Sequence, residues 1–232
     1  MWVNVYTKER HKSNMNKVSI SLFAGDYLEM GKSMEQIISS GADEIHIDIM
    51  DGQFVPLFGF NDMWLRSAAQ KYKVSYDLHF MTYITDEMLL NFSDLPVNTI
   101  WLHIESAKDE MLKNTFETIK KNGISRGLAI SPQTDFKTVE PYLPLLDNVL
   151  VLCCEPGTKG AQFLDSSYVK IKELKSMIDK TGYCISLSVD GGVDRERAKK
   201  CIQNGSNELI IGRSFFACDN KKRLVEDIRS FI

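Results

Sequence analysis

From position 18 onward the chain alternates between short apolar runs and longer stretches in which apolar residues return every three to four positions. The first pattern belongs to buried strands, the second to helices with one apolar stripe. Strands are predicted at 18–23, 44–50, 74–80, 99–105, 126–130, 148–153, 184–190 and 208–211, and helices at 27–39, 62–70, 86–92, 108–121, 136–145, 167–180, 195–203 and 221–231. Glycines just past several helical stretches, at SSG (39–41), KNG (121–123), KTG (180–182) and QNG (203–205), match the left-handed residue that ends many helices. Eight strand-then-helix units without a Pro/Gly/Ser-rich linker predict a single-domain α/β fold, a (β/α)8 TIM barrel over 17–232, preceded by a flexible polar extension over 1–16. An open doubly wound sheet would want a glycine-rich fingerprint after its first strand, and LFAGDYLEMG (22–31) has none.

Successive strand side chains face opposite ways, so residues of one parity share a face. In the second strand Ile45, Ile47 and Ile49 oppose Glu44, His46 and Asp48. The same separation sets Asp77 and His79 against Tyr76 and Leu78, and Trp101, His103 and Glu105 against Ile100, Leu102 and Ile104. Ser186, Ser188 and Asp190 in the seventh strand, and Ser19 and Ser21 in the first, follow the polar parity. If the aliphatic face meets the helices, the polar face lines the barrel, where an unpaired charge is costly. A shared divalent cation held by His46, Asp48, His79 and Asp190 would satisfy two imidazoles and two carboxylates near one rim, and such a donor set suits Zn²⁺, Fe²⁺, Mn²⁺ or Co²⁺. Of the four histidines, only His11 in the polar tail stands outside this inward pattern; His103 either lines the pocket or packs within it.

Charge removes some partners from consideration. Lys+Arg 28 against Asp+Glu 31 gives a net charge of -3 and no basic stripe, which argues against nucleic acid and against an anionic membrane. No apolar run approaches the roughly 18 residues of a spanning helix. The opening MWVNVYTKERHKSNMNK lacks the apolar centre of a signal peptide, so a cytoplasmic location is expected. Five cysteines, at 153, 154, 184, 201 and 218, include no CxxC pair and fit reduced thiols, with Cys153 and Cys154 read as small buried apolar side chains.

Barrels of this kind often bind phosphate in the loops after strands seven and eight. Here those loops read VDGG (189–192) and IGRSFF (211–216). Gly191, Gly192 and Gly212 permit close approach of the backbone, Arg213 adds charge, and EPGTKGAQF (155–163) after strand six could close over a ligand with Gly157 and Gly160. A phosphorylated ligand is expected.

These residues resemble those of the ribulose-phosphate 3-epimerase family, including the allulose-6-phosphate 3-epimerases. HIDIMDGQFVP (46–56) is similar to the family's H-[VIL]-D-[VI]-M-D-G-x-F-V-P, DLHFM (77–81) to D-x-H-[LM]-M, SVDGG (188–192) to x-V-D-G-G, and SLFAGD (21–26) to S-I-L-S-A-D. The resemblance spans about Val18 to Phe216. It implies one divalent metal on His46, Asp48, His79 and Asp190, with Asp48 and Asp190 also the catalytic acid/base pair. It further implies that Ser21, His79 and Met81 line the sugar site, that the glycines after strands six to eight hold phosphate, and that the protein is a homo-oligomer. The implied reaction interconverts D-ribulose 5-phosphate and D-xylulose 5-phosphate through a metal-stabilised enediolate, with a hexulose phosphate such as allulose 6-phosphate as the alternative substrate. Three loops depart from the family: PGTKGA (156–161) stands for P-G-F-G-G-Q, VPL (55–57) for V-P-N and GRS (212–214) for G-S-A. A sugar-phosphate decarboxylase or aldolase would want a lysine that DIMDG (48–52) lacks; a catalytically silent binding barrel is the remaining alternative.

Overall fold

The computed structural model describes residues 16–231 apart from 86, 87, 89, 90, 93 and 159. The expected extension, except Asn16, and most of the helix expected at 86–92 lie outside the described residues. Asn16 is buried, and its amide donates to the carbonyls of Ile228 (3.3 Å) and Phe231 (2.7 Å), fastening the first strand to the last helix.

Eight strands follow: β1 (Lys17–Ser21), β2 (Glu44–Met50), β3 (Tyr76–Met81), β4 (Val97–His103), β5 (Ser125–Ile130), β6 (Asn148–Leu152), β7 (Ser186–Asp190) and β8 (Glu208–Ile211). Each pairs with the next in parallel, and β8 returns to β1, so the barrel is closed without an edge. Gly41 and Gly182 end their helices with φ of 77° and 72°, the left-handed conformation expected of them. Among the described residues no helix is long and apolar enough to cross a membrane.

Some boundaries moved. The expected strand ends 22–23 and 104–105 fall instead in the short 3₁₀ segments Leu22–Ala24 and Ile104–Ser106, which lead the chain off the rim. The helix expected at 136–145 is a 3₁₀ helix, because Pro141 and Pro144 remove backbone donors that an α-helix would use. A four-residue helix, Arg213–Phe216, occupies what reads in the sequence as loop.

The two parities behave as expected. Ile45, Ile47 and Ile49 are buried in the shell between sheet and helices, where each contributes about 1.5–3 kcal/mol. The barrel interior is divided. One side is an apolar plug of Trp101, Ala129, Leu150, Leu152 and Ile210. Gly127 makes room for it, since a Cβ there would lie 2.2 Å from the Trp101 ring. The other side is polar. At its N-terminal end Lys17 Nζ sits 2.7 Å from Glu44 and 3.0 Å from Glu208, and the Ser188 hydroxyl donates to Glu208 at 2.6 Å. Burial pushes the Glu44 carboxyl up to about 7 even against the pull of Lys17.

Candidate metal and active site

The C-terminal half of the polar side is built by strand register. Pairing of β1 with β2 sets Ser21 beside His46, and pairing of β2 with β3 sets Asp48 beside His79. Asp190 is the last residue of β7 and reaches the same rim. His46 Nε2, His79 Nδ1 and Asp48 Oδ1 form a triangle with edges of 3.3, 3.4 and 3.5 Å. One donor atom from each of His46, Asp48, His79 and Asp190 lies within 4.8 Å of all the others.

That triangle fits a cation. A tetrahedral ion with bonds of about 2.1 Å to N and O has ligand–ligand edges of about 3.4 Å. The three donors already stand at that spacing, and the mixed imidazole–carboxylate set suits a borderline divalent ion. A second acidic group, Glu44, Asp77 and Glu208, is also close-set. Lys17 already fills the cationic role between its two glutamates.

The surrounding bonds orient the donors. Asp77 Oδ2 lies 2.9 Å from His46 Nδ1, directing Nε2 at the site, and also accepts from Trp101 Nε1 at 3.3 Å. The Ser21 hydroxyl donates to Asp48 Oδ2 at 2.8 Å, leaving Oδ1 toward the imidazoles. The Gly191 N–H donates to Asp190 Oδ1 at 2.6 Å. Burial would raise Asp48, but His46 and His79 outweigh it and hold the carboxyl well below the usual range. Asp190 goes the other way: burial, reinforced by the charge of Asp48 and opposed by that of His46, pushes it up to about 6. Two carboxylates thus occupy opposed electrostatic environments in one site.

Around this centre, Met81 packs with Met50 and Val55, with Phe23, Phe54 and Leu57 against them, to form an apolar wall. Gly157 backs onto Val55, while Gly160 faces open space. Gly191 has φ 101°, and an added Cβ would come within 2.7 Å of Cys154 Sγ, so this turn admits no side chain. Gly192 adjoins Phe163, and Gly212 adjoins Ala24 and Ser21. Arg213 Nη2 donates to the Ala161 carbonyl at 2.8 Å, tying the loop after β6 to the turn after β8. His46, Asp48, His79 and Asp190 come together with Ser21 at the rim, Met81 ends β3, and Gly157, Gly160, Gly191, Gly192, Gly212 and Arg213 lie in the segments that follow β6, β7 and β8. Cys153 is buried and Cys154 half-buried beside Asp190, with no disulfide among the described cysteines.

Sequence reasoning missed three contributors: Asp77, Trp101 as its donor, and Glu105. The signal was present for Asp77 and Trp101, which share the inward parity of a histidine on their own strands, whereas Glu105 lies past the end of β4 in the turn at 104–106. Their roles are one contact removed from the site, which parity alone does not reveal.

A closed parallel barrel with paired acids and imidazoles at the C-terminal ends of its strands defines a barrel enzyme whose rim carries the chemistry. The chain belongs to the ribulose-phosphate 3 epimerase family, whose model matches residues 17–216, and is an epimerase, an isomerase by reaction class. It is 31% identical over 216 residues to the ribulose-phosphate 3-epimerase of Bacillus subtilis (strain 168), covering 93% of this chain and 99% of that one. The ribulose-phosphate 3-epimerase of Escherichia coli (strain K12) is 27% identical over 215 residues, covering 92% and 94%. Among solved structures, 3-hexulose-6-phosphate synthase from Salmonella typhimurium superposes with a TM-score of 0.69 over 93% of this chain and 97% of that one, at 14% identity, a likeness of fold alone.

Proposed function

We propose that this chain interconverts D-ribulose 5-phosphate and D-xylulose 5-phosphate, one of Asp48 and Asp190 removing the C3 proton from one face and the other, protonated, delivering its own proton to the opposite face, while His46, Asp48, His79 and Asp190 hold one divalent cation, Zn, Fe, Mn or Co. The observation that carries this reading is the meeting of two carboxylates, one from β2 and one from β7, with two imidazoles inside a 4.8 Å cluster at the rim. Inversion at a carbon beside a ketone needs a base on one face and an acid on the other. The carboxylate that removes the proton in one direction returns it in the other, so Asp48 and Asp190 exchange roles when the reaction runs backward. A cation held by these four residues would supply Lewis acidity for the negative charge that develops as the C3–H bond breaks.

The chain's own groups do the rest. Ser21 fixes the Asp48 rotamer, and the wall of Met81 and Val55 excludes water from the sugar. Backbone N–H groups at Gly157, Gly160, Gly192 and Gly212, with the Arg213 guanidinium, are the phosphate-binding set in this reading, and Gly191 gives the turn its close approach while its own N–H holds Asp190. The names of the relatives support the pentulose phosphate. The loop PGTKGA (156–161) favours a second reading, a hexulose phosphate such as allulose 6-phosphate, because Thr158 and Ala161 are smaller than the family's aromatic and glutamine. A homo-oligomer in the cytoplasm belongs to the same reading.

Two measurements test it. Asp48→Asn and Asp190→Asn are each expected to slow inversion at C3 by about 100-fold or more; near-wild-type epimerisation in either variant would remove the two-carboxylate mechanism. Turnover of ribulose 5-phosphate against allulose 6-phosphate, on protein with its metal quantified, decides the substrate.

A further inference from the structure

Both ring nitrogens of His79 are engaged. Nδ1 points at the cluster, 3.3 Å from His46 Nε2 and 3.4 Å from Asp48 Oδ1. Nε2 lies 3.0 Å from Nε2 of His103, the two rings stacked at a centroid distance of 5.0 Å and an angle of 12°. Two facing imidazole nitrogens bond only when one carries a proton and the other a lone pair. What lies beyond His103 decides which.

His103 Nδ1 is 3.1 Å from Glu105 Oε2. The other oxygen, Oε1, accepts from the Ser131 backbone N–H at 3.0 Å and from the Thr134 hydroxyl. That segment is itself pinned: Lys170 Nζ donates to the carbonyls of Ser131 (3.0 Å), Pro132 (2.6 Å) and Thr134 (2.7 Å). Two donors converge on Oε1, and with His103 they outweigh the effect of burial and hold the Glu105 carboxyl below the ordinary range; an ionised carboxylate can only accept, so Oε2 is an acceptor toward His103. His103 must therefore carry its proton on Nδ1 and present a lone pair at Nε2. His79 in turn donates from Nε2, and its Nδ1 lone pair faces the donor triangle.

We propose that His103 and Glu105 are positioning residues that lock His79 in the tautomer whose Nδ1 binds the cation, with the Lys170-pinned 131–134 segment as their anchor. The inference rests on the metal reading above. His46 is held in the complementary way, with Asp77 on Nδ1 and Nε2 toward the site. The two histidine ligands thus present different nitrogens, and each is fixed by its own carboxylate, directly for His46 and through one intervening imidazole for His79.

The relay makes specific demands on substitutions. In Glu105→Gln the side chain has one acceptor oxygen where two are needed. If it keeps the Ser131 and Thr134 bonds, its NH₂ faces His103 Nδ1 and drives the proton to His103 Nε2, against the His79 N–H. His103→Leu deletes the acceptor. His103→Gln restores the polarity, with a carbonyl for His79 and an NH₂ for Glu105.

The test is Zn²⁺ affinity by chelator competition, with the visible spectrum of the Co²⁺-loaded protein as a readout of coordination. Metal-free thermal melts accompany both to establish folding. Glu105→Gln and His103→Leu are expected to bind Zn²⁺ about 10- to 100-fold more weakly than wild type and to alter the Co²⁺ bands, while His103→Gln stays close to wild type. Wild-type affinity and spectrum in folded Glu105→Gln or His103→Leu would overturn the relay and leave the metal reading standing. Failure of the wild-type protein to bind either ion would overturn both.

Discussion

Asp77 Oδ2 stands 2.9 Å from His46 Nδ1 and 3.3 Å from Trp101 Nε1, so one carboxylate couples a ligand of the candidate metal site to the apolar plug of the barrel. Burial opposes its ionisation, but His46 and Lys17 hold it below the usual range. Asp77→Leu removes the one oxygen that both donors share and leaves both ring N–H groups buried without an acceptor. A loss of about 1–3 kcal/mol in metal-free stability is expected from a buried unsatisfied donor, together with weaker Zn²⁺ binding. Chemical denaturation of the metal-free variant and chelator competition measure the two separately; an unchanged denaturation midpoint would mean that Asp77 does not bridge the halves.

Lys17 lies between Glu44 and Glu208 at the opposite end of the polar interior. Removing one partner from a buried ionic group leaves the others uncompensated. Lys17→Met is expected to destabilise the barrel by about 3–5 kcal/mol at neutral pH. Because Glu44 already sits near 7, the variant escapes part of this cost by protonating Glu44, so its deficit relative to wild type should shrink as the pH falls from 8 to 5. Urea midpoints across that range, for wild type and Lys17→Met, check it; a pH-independent deficit would rule out glutamate protonation as the escape.

How much of this was legible in the sequence differs between layers of the structure. Strict alternation of isoleucine with His46 and Asp48 disclosed both a strand and its orientation, because a period of two has one inward face. The convergence of β2, β3 and β7 followed from counting eight units, since closure brings the rim residues of all strands to one mouth. The Lys17 contacts were invisible, because the pairing of Lys17 with Glu208 depends on the register between first and last strands. At 136–145 the apolar periodicity alone predicts a helix, and the signal that it is not an α-helix is the pair Pro141 and Pro144. His103 left two possibilities open because its partner Glu105 lies past the strand end, where the chain turns and parity no longer holds.

Glu105 provides a pH test of its own. Burial would raise its carboxyl, but bonds from His103, Thr134 and the Ser131 N–H outweigh it and bring it down to about 2, from an ordinary 4.5. A depressed folded value contributes stability that is complete above the unfolded value and is lost as pH falls through the folded one. The contribution is therefore whole above about pH 5.5 and disappears toward pH 2. The full shift corresponds to about 3 kcal/mol, and screening at the partly exposed head reduces this to about 1–2 kcal/mol. In metal-free protein the stability gap between wild type and Glu105→Gln should narrow steadily over that interval; a gap constant down to pH 3 would show that the carboxylate charge is not what the bonds hold.

Arg213 is the residue through which the altered loops of this chain meet. The Ala161 carbonyl accepts from its Nη2 at 2.8 Å, so the same guanidinium that stands beside the glycine turn after β8 also restrains the segment 155–163 after β6. A charge-assisted bond of this kind is worth about 1.5–3 kcal/mol, the equivalent of roughly 10- to 100-fold in binding when it orders a loop over a ligand. Arg213→Ala removes the tether and the positive charge together, whereas Arg213→Lys keeps the charge and loses the fork. If the tether matters, both variants raise KM for the phosphorylated ketose and expose 155–163 to limited proteolysis. If only the charge matters, Arg213→Lys retains wild-type KM and protease resistance. In either case kcat should change far less than KM, because Arg213 touches neither Asp48 nor Asp190; a kcat-dominated defect would place the guanidinium in the proton-transfer step and not at the phosphate.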